Sequence, residues 1–118
     1  MNHNLYRILT VTVVLLFASK SYAEPTVQDW IKSKNKWIVY LVGVGTGISW
    51  ANSFLGNARQ KPIYCPPDNL ILEIQNEVKI LDTEIQKNPE VKLDTPLGAV
   101  LLYGYRRTFP CPGEELGR

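Results

Sequence analysis

Two cysteines flanked by prolines constrain this chain more than any other feature: Cys65 precedes Pro66-Pro67, and Cys111 sits between Pro110 and Pro112. Proline fixes φ and removes a backbone donor, so both thiols belong on extended chain at helix ends. A bridge between them would close a ring of roughly 45 residues, for which chain entropy sets an upper figure of about 4 kcal/mol. An even cysteine count in an exported chain favours one intramolecular bridge; two unpaired thiols or an intermolecular bridge are the competing readings. The N-terminus therefore decides how the cysteines are read.

Residues 1–23 have the pattern of a secretory signal peptide. Arg7 is the only charge before the apolar run Ile8–Ala18, and Ser21-Tyr22-Ala23 places small residues at the cleavage positions. An uncharged run of 11 residues is short of the ~20 that span a bilayer. Cleavage after Ala23 leaves residues 24–118 as one domain, in an oxidising compartment where disulfides persist. Removal of Arg7 and Lys20 leaves 11 basic residues against 11 acidic ones. A net charge near zero argues against a nucleic-acid binder, whose affinity needs a basic patch to release counterions. A core built from so short a chain is usually helped by a staple.

The hydrophobic spacing predicts an all-α domain of three to four helices. The first runs from about Thr26 to Phe54, capped by Thr26 or Asp29, with Trp30, Trp37, Tyr40, Leu41, Val44, Ile48 and Leu55 near helical spacing and Gly56-Asn57 at its end. The polar run Lys32–Lys36 is where it divides in two, if it divides. Trp37–Leu55 is free of charge over 19 residues, and Gly43 and Gly47 have the spacing of a membrane dimerisation face. Three glycines with Thr46, Ser49, Asn52 and Ser53 dilute its apolarity, and all-round apolar character also marks a helix buried in a soluble domain. Gly43, Gly47 and Ala51 are then a smooth stripe for a neighbouring helix. Gly43, Gly45 and Gly47 miss the spacing of a dinucleotide loop, since Ile48 stands where its third glycine would fall.

A second helix is expected from about Asp68 to Lys87, with Asp68 as cap. Ile71, Ile74, Val78, Leu81 and Ile85 form its buried stripe, and Glu73, Glu77, Asp82, Glu84 and Lys87 lie away from it. A third has Asp94 as cap, Pro96 in the first turn and Leu97, Val100, Leu101, Tyr105 and Phe109 on its buried side.

No catalytic site, metal site or cofactor site is expected. The single histidine, His3, lies in the leader, so Ser-His or Cys-His activation has no base in the mature chain. Glu73 and Glu77 stand one helical turn apart and could pair as acid and base, but a solvated helix face explains them better. Arg106-Arg107 favour the dipole at the end of the third helix. Function then falls to loops on a rigid scaffold: Asn57, Arg59, Gln60 and Lys61 in one, Asn88 and Glu90 in the other.

With these residues laid out, the chain from Trp37 to Cys111 resembles the Rap/Tai family of type VI secretion immunity proteins. The matching features are Tyr40-Leu41-Val42-Gly43-Val44, Tyr64-Cys65-Pro66-Pro67, Asn88-Pro89-Glu90 and Thr108-Phe109-Pro110-Cys111, in that order. The chain departs from the family pattern at Trp37 and Val39, where members often carry a cysteine and a glycine. A helix-borne disulfide is therefore not open to it, which leaves Cys65 and Cys111 to pair. The resemblance implies a small helical periplasmic protein that binds and blocks a peptidoglycan amidase effector, with no nucleic acid and, after leader removal, no membrane as partner. A homodimer is compatible with it. The main rival is a small periplasmic structural or chaperone-like protein of the acid-stress type.

Overall fold

The computed structural model describes residues 23–114. The leader expected over residues 1–23 lies outside the described residues apart from Ala23. The domain is all-α with four helices: α1 Val27–Lys32, α2 Lys34–Asn57, α3 Ile74–Lys87 and α4 Leu97–Thr108.

Thr26 opens α1 with a capping box: its hydroxyl accepts from the Asp29 N–H at 3.5 Å, and the Asp29 carboxylate accepts from the Thr26 N–H at 2.9 Å. Two further N–H groups of this first turn, on Val27 and Gln28, donate to the carbonyls of Thr95 and Leu93 at 3.0 and 2.9 Å. Groups that a helix start leaves without intrahelical partners thus tie α1 to the loop before α4. The Leu97 N–H returns a bond to Pro25 O at 2.9 Å. Trp30 is fully buried and its indole N–H donates to Asp82 at 2.8 Å, where Lys34 also pairs at 2.6 Å.

Ser33 breaks the first predicted helix in two, within the polar run that marked the spot. α2 continues past Gly56 and closes with Arg59 in the left-handed region at φ 55°. There the Arg59 and Gln60 N–H groups donate to the carbonyls of Gly56 and Leu55 at 3.1 and 2.8 Å, the pattern of a Schellman cap in which glycine is the usual residue.

α3 begins at Ile74, six residues later than the Asp68 start that periodicity suggested. Pro66-Pro67 cannot donate to a helix, and Asn69 at φ 65° turns the chain, with the Leu70 N–H on Pro67 O at 3.3 Å. Ile71, placed on the buried stripe by spacing, is consequently 82% exposed. Asp94 does not cap α4; it is exposed, and Pro96 holds the cap position while the neighbouring carbonyls serve α1.

α3 and α4 cross at Gly104, where an added Cβ would stand 2.6 Å from an Ile80 methyl. Val27, Trp30, Leu41, Tyr64, Leu81, Leu97, Val100, Leu101 and Tyr105 form the core. Cys65 and Cys111 are bonded, with Cα atoms 4.8 Å apart, and the Cys65 N–H donates to Phe109 O at 2.8 Å. That bridge fixes the non-helical 58–73 segment to the end of α4.

Candidate binding face and cleft

α2 is built from residues that are apolar nearly all round, yet it buries only one side, at Leu41, Gly45 and Asn52. By length and composition it could cross a membrane, and little of it is buried. The expectation of a helix enclosed on all sides is therefore corrected. Asn52 holds the 62–64 chain to this helix: its carbonyl accepts from the Ile63 and Tyr64 N–H groups at 2.7 and 3.2 Å, and its amide donates to Tyr64 O at 3.0 Å.

The opposite side of α2 carries Val39, Trp50 and Phe54, 83, 73 and 72% exposed. Gly43, Gly47 and Ala51 lie between them and are also exposed. Steps of three and four put Val39, Gly43, Gly47, Trp50 and Phe54 in one stripe, about 22 Å long at the helical rise. The glycine stripe expected to receive another helix thus faces outward, and a Cβ added at Gly43 or Gly47 meets nothing within 4 Å among the described residues. The glycine that a neighbour does approach is Gly45, where a Cβ would run into the Glu77 carboxyl and stand 2.8 Å from the Tyr105 hydroxyl.

Between Asp29 and Asp68 the chain has no acidic residue and five basic ones, Lys32, Lys34, Lys36, Arg59 and Lys61. Lys36 stands at one end of the apolar stripe and Arg59 and Lys61 at the other, while Lys34 turns to Asp82 of α3 and Lys32 belongs to α1. Asn57, Arg59, Gln60 and Lys61, the first candidate loop, are all exposed and continue the stripe beyond Phe54. Lys61 pairs with Glu114 at 2.5 Å, which holds that carboxyl below its ordinary range. In the second candidate loop Glu90 is exposed, whereas Asn88 is 8% exposed with both ends of its side chain engaged. Its amide donates to Glu84 at 2.7 Å and its carbonyl accepts from the Glu90 N–H at 3.0 Å. The structure therefore separates the pair, with Asn88 shaping the loop and Glu90 on its surface.

A cleft of about 340 Å³ opens beside the α2 stripe, lined by Thr46, Ser49, Trp50 and Ser53 on the helix, by Tyr64, Leu70 and Leu72 from the 58–73 segment, and by Glu77 of α3. Its size is at the lower end of the range for small-molecule sites. Glu77 was expected on a solvated helix face with Glu73 and Glu84; instead Glu77 and Glu84 are 6 and 2% exposed. The buried face of α3 is centred on Leu81, which brings positions 77 and 84 inward with it. Glu84 is compensated there by Asn88 and by the Arg107 guanidinium at 3.3 Å. Glu77 accepts from the Tyr105 hydroxyl at 2.8 Å through one oxygen, and among the described residues no donor reaches the other. Burial pushes the Glu77 carboxyl above its ordinary range, against the smaller downward pull of the Tyr105 hydrogen bond. The sequence pairs Glu77 with Glu73 one helical turn apart but does not show its burial; the signal available for that was its place one turn before Leu81 on an amphipathic helix.

Among the described residues no group of three or more His, Cys, Asp or Glu is placed to hold a metal ion. No family model matches the chain, and no curated protein and no solved structure matches it either.

Proposed function

We propose that the protein is an exported immunity protein, kept in the periplasm by cleavage of its leader, that binds a peptidoglycan amidase effector and occludes its catalytic cleft. The observation that carries this reading is the α2 stripe. Val39, Trp50 and Phe54 stand out from a helix whose other side is anchored in a stapled core, and large exposed apolar patches on small proteins mark interaction sites. An exposed tryptophan bordered by a cleft and by a polar rim is the composition of an interface hot spot. The class of partner rests on the resemblance of its motif order to that of the Rap/Tai family.

Charge selects among occupants of this face. Two copies laid stripe to stripe, parallel or antiparallel, would bring basic end onto basic end. A partner with carboxylates flanking an apolar patch fits better. Membrane crossing by α2 is disfavoured because the helix would carry α3 with it, including the exposed Glu73, Lys79 and Lys87. The same exposed apolar residues also suit the chaperone-like alternative, which would hold unfolded chains without a single folded target.

An inhibitor that protects a cell must stay bound, so nanomolar affinity, about −12 kcal/mol, from an interface on the order of 1,600 Å² is expected. The test expresses a candidate peptidoglycan amidase effector, sought among the genes adjacent to this one, in the periplasm with the wild-type protein or with Trp50→Asp, and follows lysis. Protection by the wild type and its loss in the variant, with an unchanged melting temperature, support the reading. Equal lysis with and without the protein, and no amidase recovered with it, would hand the case to the chaperone-like alternative.

A further inference from the structure

We infer that the cleft beside α2 receives a primary ammonium on an apolar stem, with Glu77 as its acceptor. Four features carry this. Glu77 is 6% exposed, lines the cleft, and has one carboxylate oxygen that no donor reaches among the described residues. A buried acceptor in that condition loses the free energy of a hydrogen bond to a charged group, which an incoming donor restores. The second feature is that the other oxygen is already engaged by the Tyr105 hydroxyl. A guanidinium seeks both oxygens of a carboxylate in a fork, whereas an ammonium bonds one and turns its remaining donors elsewhere.

Third, hydroxyls that can take those remaining donors line the same cleft, on Thr46, Ser49 and Tyr64, the last two 3.2 Å from each other. Fourth, the mouth of the cleft is apolar: Trp50 and Leu70 are 73 and 40% exposed and are free to cover a methylene stem or to face the cation itself. The free oxygen is buried, so entry involves a shift of these rim side chains or of Glu77. Gly45 gives the carboxyl its place under α2, since a Cβ there would collide with it.

The shared chemistry has two sources, a lysine side chain of the bound protein or a free alkylamine. The first rests on the proposed function, because Trp50 belongs to both the stripe and the cleft, and a partner lying on the stripe would bring a lysine to its rim. The second does not depend on it.

The probe is n-butylammonium, titrated into the full mature protein while the Trp50 indole N–H resonance is followed by NMR, with n-butanol and n-butylguanidinium as controls. Saturable shifts with n-butylammonium, weaker with either control and weakened about tenfold or more by Glu77→Gln, are the expected result. Gln keeps the acceptor for Tyr105, and Ser49→Ala, which leaves α3 untouched, is the second variant and weakens the same titration. In a parallel arm, n-butylammonium competition against the amidase assigns the source: displacement and sensitivity to Glu77→Gln mean a partner lysine, indifference a free amine. No saturable shift in the wild type, or shifts equal to those with n-butanol, overturn the inference even where the amidase still binds and protection stands.

Discussion

A carboxyl enclosed beside a tyrosine makes folding depend on pH in a direction opposite to that of most surface acids. Glu77 titrates in the folded protein above its ordinary value of 4.5. The titratable groups facing it are Tyr105 from α4 and Tyr64 from the neighbouring segment, and α2 offers it none. Well below pH 4.5 it is protonated folded and unfolded alike, and its contribution to stability is fully present. As the pH rises, the unfolded chain releases the proton first, so stability falls through the folded titration point. Glu77→Gln should abolish that fall. Its urea midpoint is expected to exceed the wild type's at pH 7 and to match it near pH 4; parallel profiles for the two proteins would refute the account. Asp29 and Glu114 run the other way, held down chiefly by the Thr26 N–H and by Lys61, so their contributions are lost on acidification. The inward turn of Glu77 was not legible because spacing rules count apolar side chains. The rotation of α3 is decided by where Gly104 and Tyr105 of another helix meet it.

Within α2, two glycines two residues apart have opposite surroundings. Gly47 meets open space, and replacing glycine by alanine in a helix generally stabilises by about 0.5–1 kcal/mol. Gly45 meets Glu77 and Tyr105, so Gly45→Ala overpacks the site and should destabilise by about 1–3 kcal/mol. Urea denaturation of both variants checks the assignment of faces: equal effects, or a destabilising Gly47→Ala, would show that the stripe is packed. The existence of helix over this stretch, the Thr26 cap that opens α1 and the break before α2 within the Lys32–Lys36 run are all readable from residue types. The orientation of α2 is not. With apolar residues on every side, periodicity gives no direction, and Asn52, which looks like dilution of a hydrophobic run, anchors the buried side through backbone groups 11 and 12 residues further on.

Across the molecule, the Cys65–Cys111 bridge and the buried positions Leu97, Val100, Leu101 and Tyr105 follow the sequence expectation closely. Prolines and a clean apolar stripe are local signals, which is why they could be read. The late start of α3 could not, because Asn69 is in a conformation that the residue tolerates and does not require. Of the candidate loop residues, the exposure of Asn57, Arg59, Gln60, Lys61 and Glu90 was legible, and the burial of Asn88 against Glu84 was not, since it depends on the turn that follows α3. Reduction of the bridge should lower stability by up to about 4 kcal/mol, read as a fall in the urea midpoint with added reductant; an unchanged midpoint would mean that the ring constrains nothing in the unfolded chain.

The placement of that bridge also governs what happens to a broken chain. α3 and α4 lie inside the ring it closes, and α1 and α2 lie outside. A protease that nicks the exposed 66–71 segment severs the backbone between the two pairs of helices without releasing either piece. Both fragments stay joined through sulfur, held at the site where Tyr64 and Phe109 already pack, and the cut becomes visible by size only after reduction. Wherever a peptidase reaches it, such a molecule can lose a peptide bond and still keep its two halves in place.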